Sequence, residues 1–198
     1  MVILPMAENK TRFDEKDIDK FNELLENAWN DNNSIVIQND NIMNTYCVLS
    51  FMLQKCSQIK IYCGEARLFT TKGKRKLEEI GTKNAVEQLY TQFWTLLGKF
   101  LANEKNSIEI ISERKLSMSE PEKELTDVLR KNNFRLYILK EHNPKFDFHF
   151  MVGDDNIYRR ELEDKSKKGS TIAAEGKMKK LIVFLTVFAV FSGCTFIS

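Results

Sequence analysis

Histidine is scarce in this chain, which limits the chemistry that depends on it. Only His142 and His149 occur among the 198 residues. Two are too few for a multi-histidine metal centre and leave little choice for acid–base catalysis. The 4 cysteines are too few for a disulfide framework and too irregularly spaced for a CxxC metal site. We therefore expect no metal and no cofactor, and we expect reduced, mostly buried thiols at Cys47, Cys56 and Cys63.

Phosphate-loop motifs and a strong net charge are also missing. Neither GxxxxGK[ST] nor GxGxxG occurs, which disfavours nucleotide hydrolysis. The net charge is +2, far from the basic excess of a dedicated nucleic-acid-binding protein. No secretory signal stands at the start, because residues 8–20 are charged, so we expect the main domain to fold in the cytoplasm.

Hydrophobic patterning alternates between helices and strands. Apolar residues at three- and four-residue steps predict a helix at 14–29, a second that begins after a cap at Asp40, a third through 86–100 and a fourth at 119–130. Short apolar or alternating runs predict strands at 34–38, 58–63, 107–111, 134–139, 146–152 and 157–162. This order predicts an α/β fold: a mixed, largely parallel sheet with helices on both faces, ending in a β-hairpin.

The end of the chain differs in composition from the rest. Residues 165–180 are polar and basic and are interpreted as a linker after a domain at 1–164. The segment 181–198 has no charge, and as an apolar helix it would reach roughly 27 Å, near the lower limit for spanning a bilayer. Three lysines precede this segment: Lys177, Lys179 and Lys180. Their positive charge favours a cytoplasmic domain that is anchored in the membrane at its C-terminus.

Two other interpretations of this end stay open. The apolar run after Met178, closing on Phe191-Ser192-Gly193-Cys194, resembles a bacterial lipoprotein signal peptide with its lipobox. Cys194 would then be a lipidation site, and residues 178–198 would be the start of a neighbouring protein joined to this frame. Alternatively, the segment packs as a last core helix or strand.

The residues around His149 are the best candidates for chemistry. Alternation through 146–150 places Asp147 and His149 on one face of a strand, and Asp154 follows where it could converge with them. The plainer interpretation is a half-buried His149 paired with Asp147 in a core hairpin.

The string Asp147-Phe148-His149-Phe150-Met151-Val152-Gly153-Asp154-Asp155 resembles the strand that carries the HxKxxxxD motif of the phospholipase D-like superfamily. The family's histidine attacks phosphorus, its lysine holds phosphate, and its aspartate orients a site shared across a dimer or pseudo-dimer. Only Asp154 matches, because Asp147 replaces the nucleophile and His149 replaces the lysine. The family's Gly-Ser-x-x-Asn element is also absent at its usual distance. The resemblance therefore implies a phospholipase D-like domain over 1–164, with homodimerisation, and favours binding over turnover.

A compact basic run could supply the phosphate contacts. Residues 72–76 read Lys-Gly-Lys-Arg-Lys, and Arg159-Arg160 come later in the hairpin. We predict a phosphate-attracting surface made by Lys74, Arg75, Lys76 and Arg159. A solvated start of a helix is the alternative explanation of the basic run.

These patterns lead to one leading functional hypothesis and two alternatives. The leading hypothesis is a non-catalytic phospholipase D-like domain that binds a phosphate-bearing ligand, nucleic acid included, or a protein partner. The first alternative is a membrane-tethered accessory protein of unrelated α/β fold. The second is an active phosphodiesterase that uses His149.

Overall fold

The structure is a computed structural model. It describes residues 2–4, 12–31, 35–38, 41–113, 126–128, 130–139, 149–154, 157–164, 167–174 and 195–196. Asp147 and Cys194 lie outside these ranges, as does the predicted apolar helix up to residue 194, so the predictions made for them stay predictions.

Four helices of regular length lie in the described part of the chain: α1 Glu15–Asn30, α2 Ile42–Lys55, α3 Thr71–Ile80 and α4 Lys83–Ala102. A short 3₁₀ turn, Arg67–Phe69, comes before α3. Asp14 caps α1 in a capping box with Asp17, which fixes the predicted start of that helix. The predicted cap of α2 at Asp40 is wrong: the Asn41 side chain accepts the Asn44 N–H and holds that position instead.

The strands of the described ranges are β1 Val2–Leu4, β2 Ile35–Gln38, β3 Gln58–Cys63, β4 Ser107–Ser112, β5 Phe134–Ile138, β6 Phe150–Gly153, β7 Ile157–Asp164, β8 Lys167–Ala174 and β9 Thr195–Phe196. They form one sheet in the order β1-β2-β8-β7-β6-β3-β4-β5-β9. The predicted α/β class is confirmed.

The sheet is mixed, as predicted. Strands β3, β4 and β5 are parallel neighbours, whereas β6 runs antiparallel to β3 and forms the predicted hairpin with β7. Strand β8 pairs with both β7 and β2, so Lys167–Ala174 belongs to the sheet, although the sequence suggested a linker there. A short Lys-Lys-Gly-Ser-Thr run gives a weak hydrophobic signal, and its place is set by backbone pairing on both sides.

The core follows from the two-residue alternation of the strands. Ile59 and Ile61 point to the face on which the described helices pack, and one hydrophobic cluster joins them to all four helices. Tyr62 and Phe150 are buried outside that cluster, on the opposite face. Among the described residues the helices therefore cover one face, rather than both as expected.

The thiols of this core agree with the sequence. Cys47, Cys56 and Cys63 are reduced thiols, the first two buried and the third half-buried. Burial raises the pKa of Cys47 to about 12, so its thiol stays protonated.

Only two residues of the apolar C-terminal segment are described. They form β9, which pairs antiparallel with β5 through Phe196 opposite Tyr137. Within the ranges that the structure describes, we find no helix both long and apolar enough to cross a bilayer.

Candidate functional site

Several polar side chains meet where the parallel strands β3 and β4 end. Gly64 and Glu65 directly follow β3, and Glu113 directly follows β4. Strand β6 runs the opposite way, with Phe150 opposite Tyr62, so His149 just before β6 arrives at the same edge. Carboxyl ends of parallel strands are where α/β sheets commonly place ligand sites.

His149 lies directly over Gly64. A Cβ built on Gly64 would stand 2.9 Å from His149 Nε2 and 3.8 Å from Glu113 Oε2. The absent side chain of Gly64 therefore leaves room for the imidazole, and the Glu113 carboxylate lies close to the same position. We call Tyr62, Gly64, Glu113 and His149 the carboxyl-edge cluster.

Tyr62 holds the Glu113 side of this cluster. Its hydroxyl donates to Glu113 Oε1 at 2.6 Å, and its ring stacks on Phe150 with centroids 5.3 Å apart. Burial, and then the hydrogen bond and charge of Glu113, raise the pKa of Tyr62 far above its usual range. The phenol therefore stays neutral and works as a hydrogen-bond donor rather than a base.

Glu65, the next residue after Gly64, carries two ion pairs. Its Oε1 is 2.8 Å from Lys72 Nζ and its Oε2 is 2.8 Å from Arg67 Nε. The Lys72 hydrogen bond, and the hydrogen bond and charge of Arg67, lower the pKa of Glu65 against the opposing effect of burial, so this carboxylate is ionised at neutral pH.

Asp154 does not join His149, so the predicted convergence of these two residues is wrong. They lie at opposite ends of β6, because Gly153 pairs with Ile59 near the start of β3. There the Asp154 carboxylate accepts from the Ser57 N–H at 2.9 Å and from the Ser57 hydroxyl at 2.5 Å. Asp154 therefore joins the start of β3 to the β6–β7 turn. Asp147 lies outside the described residues.

The predicted phosphate-attracting surface does not assemble as expected. Arg159 is only 3% exposed on β7, so it cannot belong to an exposed basic surface. Lys74 and Lys76 form ion pairs with Glu87 and Glu79, at 3.8 and 2.7 Å. Arg75 is exposed on α3. The basic run is part of a helix, which separates its side chains around the helix axis.

No sequence pattern singled out Tyr62, Glu65 or Glu113 as a site residue. Position in the chain could have indicated Glu65 and Glu113, because each comes just after the end of a correctly predicted parallel strand. The pairing of Glu65 with Arg67 and Lys72 depends on the turn before α3, which had no sequence signature.

The known proteins that resemble this chain do so in structure and not in sequence. No family model matches the chain, and no curated protein matches it in sequence. One similar solved structure is that of TrmBL2, an archaeal chromatin protein with a novel mode of DNA binding. Its identity to this chain is 14% and the TM-score is 0.49. The match covers 92% of this chain and 63% of TrmBL2. NucT from Helicobacter pylori, a phospholipase D-family nuclease, is similar at 9% identity and TM-score 0.47, over 83% of this chain and 98% of NucT. At TM-scores this low, neither likeness says what this chain does.

Proposed function

We propose that this chain is a phospholipase D-like domain that binds a phosphate-bearing ligand at the carboxyl-edge cluster without cleaving it. The observation that carries the proposal is the position of His149 Nε2 over Gly64, beside the Glu113 carboxylate, at the carboxyl ends of β3 and β4. An imidazole N–H at a sheet edge can donate to a phosphate oxygen, and Glu113 would hold the ring in place.

The residue types at the site support binding over turnover. Attack on phosphorus needs a nucleophile, and the family-like strand has Asp147 where the superfamily has its histidine. Tyr62 is kept neutral and is engaged with Glu113, so it is a poor substitute. One imidazole could serve as donor or base, but the superfamily mechanism uses a histidine together with a fixed lysine.

The test measures binding and turnover separately. Binding of inorganic phosphate is measured by titration calorimetry, and hydrolysis of bis(p-nitrophenyl) phosphate by absorbance. We compare the wild-type chain with His149→Ala, and with His142→Ala as the control that removes the other histidine. We expect wild type and His142→Ala to bind phosphate alike, His149→Ala to bind about tenfold more weakly, and none to hydrolyse the diester, since one charge-assisted hydrogen bond is worth about a factor of ten.

Two results would overturn the proposal. Phosphate binding that is equal in wild type and His149→Ala would remove the site from this cluster. Diester hydrolysis by wild type that disappears in His149→Ala would show an active phosphodiesterase, the alternative in which His149 takes part in the reaction.

A further inference from the structure

We propose that Arg67 and Lys72 are the phosphate-binding cations of this chain, and that the Glu65 carboxylate occupies their anion position until a ligand displaces it. This inference rests on the proposed function and names the charged residues and the internal competitor of the same site. Of the basic run at 72–76 it keeps Lys72, and it replaces the other three basic residues of that run by Arg67 as the source of positive charge.

The two cations are already arranged around one oxyanion. Lys72 Nζ and Arg67 Nε each lie 2.8 Å from a different oxygen of the same carboxylate. Two oxygens of a phosphate present the same kind of two-point acceptor, and Arg and Lys at this range are the usual partners of both groups. A pair positioned to hold a carboxylate is therefore positioned to hold a phosphate.

Exposure distinguishes this triad from an ordinary surface ion pair. The Glu65 side chain is 9% exposed, whereas Arg67 and Lys72 are 47% and 42% exposed. The anion lies inside and its cations face solvent, so an incoming phosphate reaches the cations without first crossing Glu65. The pair Lys76–Glu79 is an ordinary surface ion pair by comparison, because its two side chains are about equally exposed, at 52% and 57%.

The backbone that carries the two cations is closely packed, which restrains the distance between the points where their side chains begin. A Cβ on Gly73 would stand 2.4 Å from the Arg67 carbonyl oxygen, which brings the start of α3 against the 3₁₀ turn. The Tyr46 hydroxyl of α2 donates to the Leu68 carbonyl at 2.8 Å and ties the turn to the core. A preorganised pair loses less entropy on binding than two mobile side chains would.

The triad also adjoins the carboxyl-edge cluster. Glu65 follows Gly64, the residue over which His149 lies. We expect a phosphate held by Arg67 and Lys72 to lie at the same edge of the sheet as the imidazole proposed to donate to it. Ligand binding would release Glu65 from its two ion pairs and so change the contacts of the loop after β3.

The experiment is a titration of inorganic phosphate into the full chain and its variants. Glu65→Gln keeps the size of the side chain and removes its charge, so we expect phosphate to bind about five- to tenfold more tightly. Lys72→Met and Arg67→Gln should each weaken binding by at least a similar factor. Glu79→Gln is the matched control, because it removes the acidic partner of an α3 lysine elsewhere, and it should leave the affinity unchanged. Thermal melts of every variant establish that it is folded.

Each outcome decides the inference. Unchanged or weaker binding by folded Glu65→Gln would overturn the role of Glu65 as competitor, and full binding by folded Lys72→Met and Arg67→Gln would overturn the cation pair. Loss of binding in His149→Ala, with these three variants unaffected, would sink this inference and leave the proposed function standing. Absence of phosphate binding in wild type and in Glu65→Gln would end both.

Discussion

The two ends of β3 use polar side chains in different ways. At its start, Asp154 is held by Ser57, and Asn133 Nδ2 donates to the carbonyls of Leu101, Asn103 and Asn106 at 3.2, 3.2 and 2.9 Å. At its end, His149 and Glu113 lie near Gly64, and the next residue, Glu65, is paired with two cations that face solvent.

This difference separates groups that stabilise the fold from groups that are available to a ligand. Asp154 and Asn133 bond to backbone or to a neighbouring hydroxyl and close the turns before and after the strands. Glu65 bonds to two long, half-exposed side chains that can exchange one oxyanion for another. Substitutions at the first end should therefore change stability, and those at the second end should change binding.

The largest loss of stability is expected from Gly153→Ala. Its new Cβ would stand 2.3 Å from Cys56 Sγ and 3.3 Å from Met52 Cε, two buried side chains at the C-terminal end of α2. Overpacking of this kind costs about 1–3 kcal/mol, and we expect the upper part of that range because both neighbours are enclosed. Urea unfolding followed by circular dichroism measures the change. A loss below half a kcal/mol would contradict the tight packing of α2 on β6.

Asn133→Ala should follow, with a loss of about 2 kcal/mol. The side-chain amide joins the end of α4 and the turn before β4 to the start of β5, and alanine leaves those carbonyls to water or without a partner. The same unfolding experiment applies. Asn106→Ala, which removes a single bond to the Phe100 carbonyl, is the graded comparison and should lose less.

Asp154→Asn should cost less, about 1 kcal/mol, because the site is exposed. Burial alone would raise the pKa of Asp154, but the Ser57 hydroxyl and the backbone N–H groups outweigh it and lower that pKa. A lowered folded pKa gives stability that is present above the unfolded value of about 3.9 and is lost as pH falls through the folded pKa. Wild type should therefore exceed Asp154→Asn in stability at pH 7, and the gap should shrink below about pH 4. A difference in the free energy of unfolding that stays constant with pH would show that the charge of Asp154 does not contribute to stability.

Local sequence specifies the strands that meet at these two ends better than it specifies how the strands are paired. Strands such as Gln58–Cys63 are predicted within a residue, because buried isoleucines that alternate with polar residues between turns are a strong local signal. The meeting of His149 with Glu113 and Tyr62 depends on the antiparallel register of β6 against β3, and no local pattern specifies that register. The same register places Asp154 at the other end of β3. The sequence suggested that Asp154 converges with His149, but an extended strand keeps two residues that are five positions apart well separated.

The smallest effect on stability, and the sharpest on the site, is expected from Gly64→Ala. Its Cβ would meet the tip of a side chain, His149 Nε2 at 2.9 Å, rather than backbone, so the imidazole can move aside and the loss should stay under about 1 kcal/mol. That movement takes the ring from the place where it would donate to phosphate, and we expect binding of inorganic phosphate to fall nearly as far as in His149→Ala. The double variant should then lose little more than either single variant, because both act on one contact. Additive losses would mean that Gly64 and His149 act separately, and the two ends of β3 would then differ less than their contacts suggest.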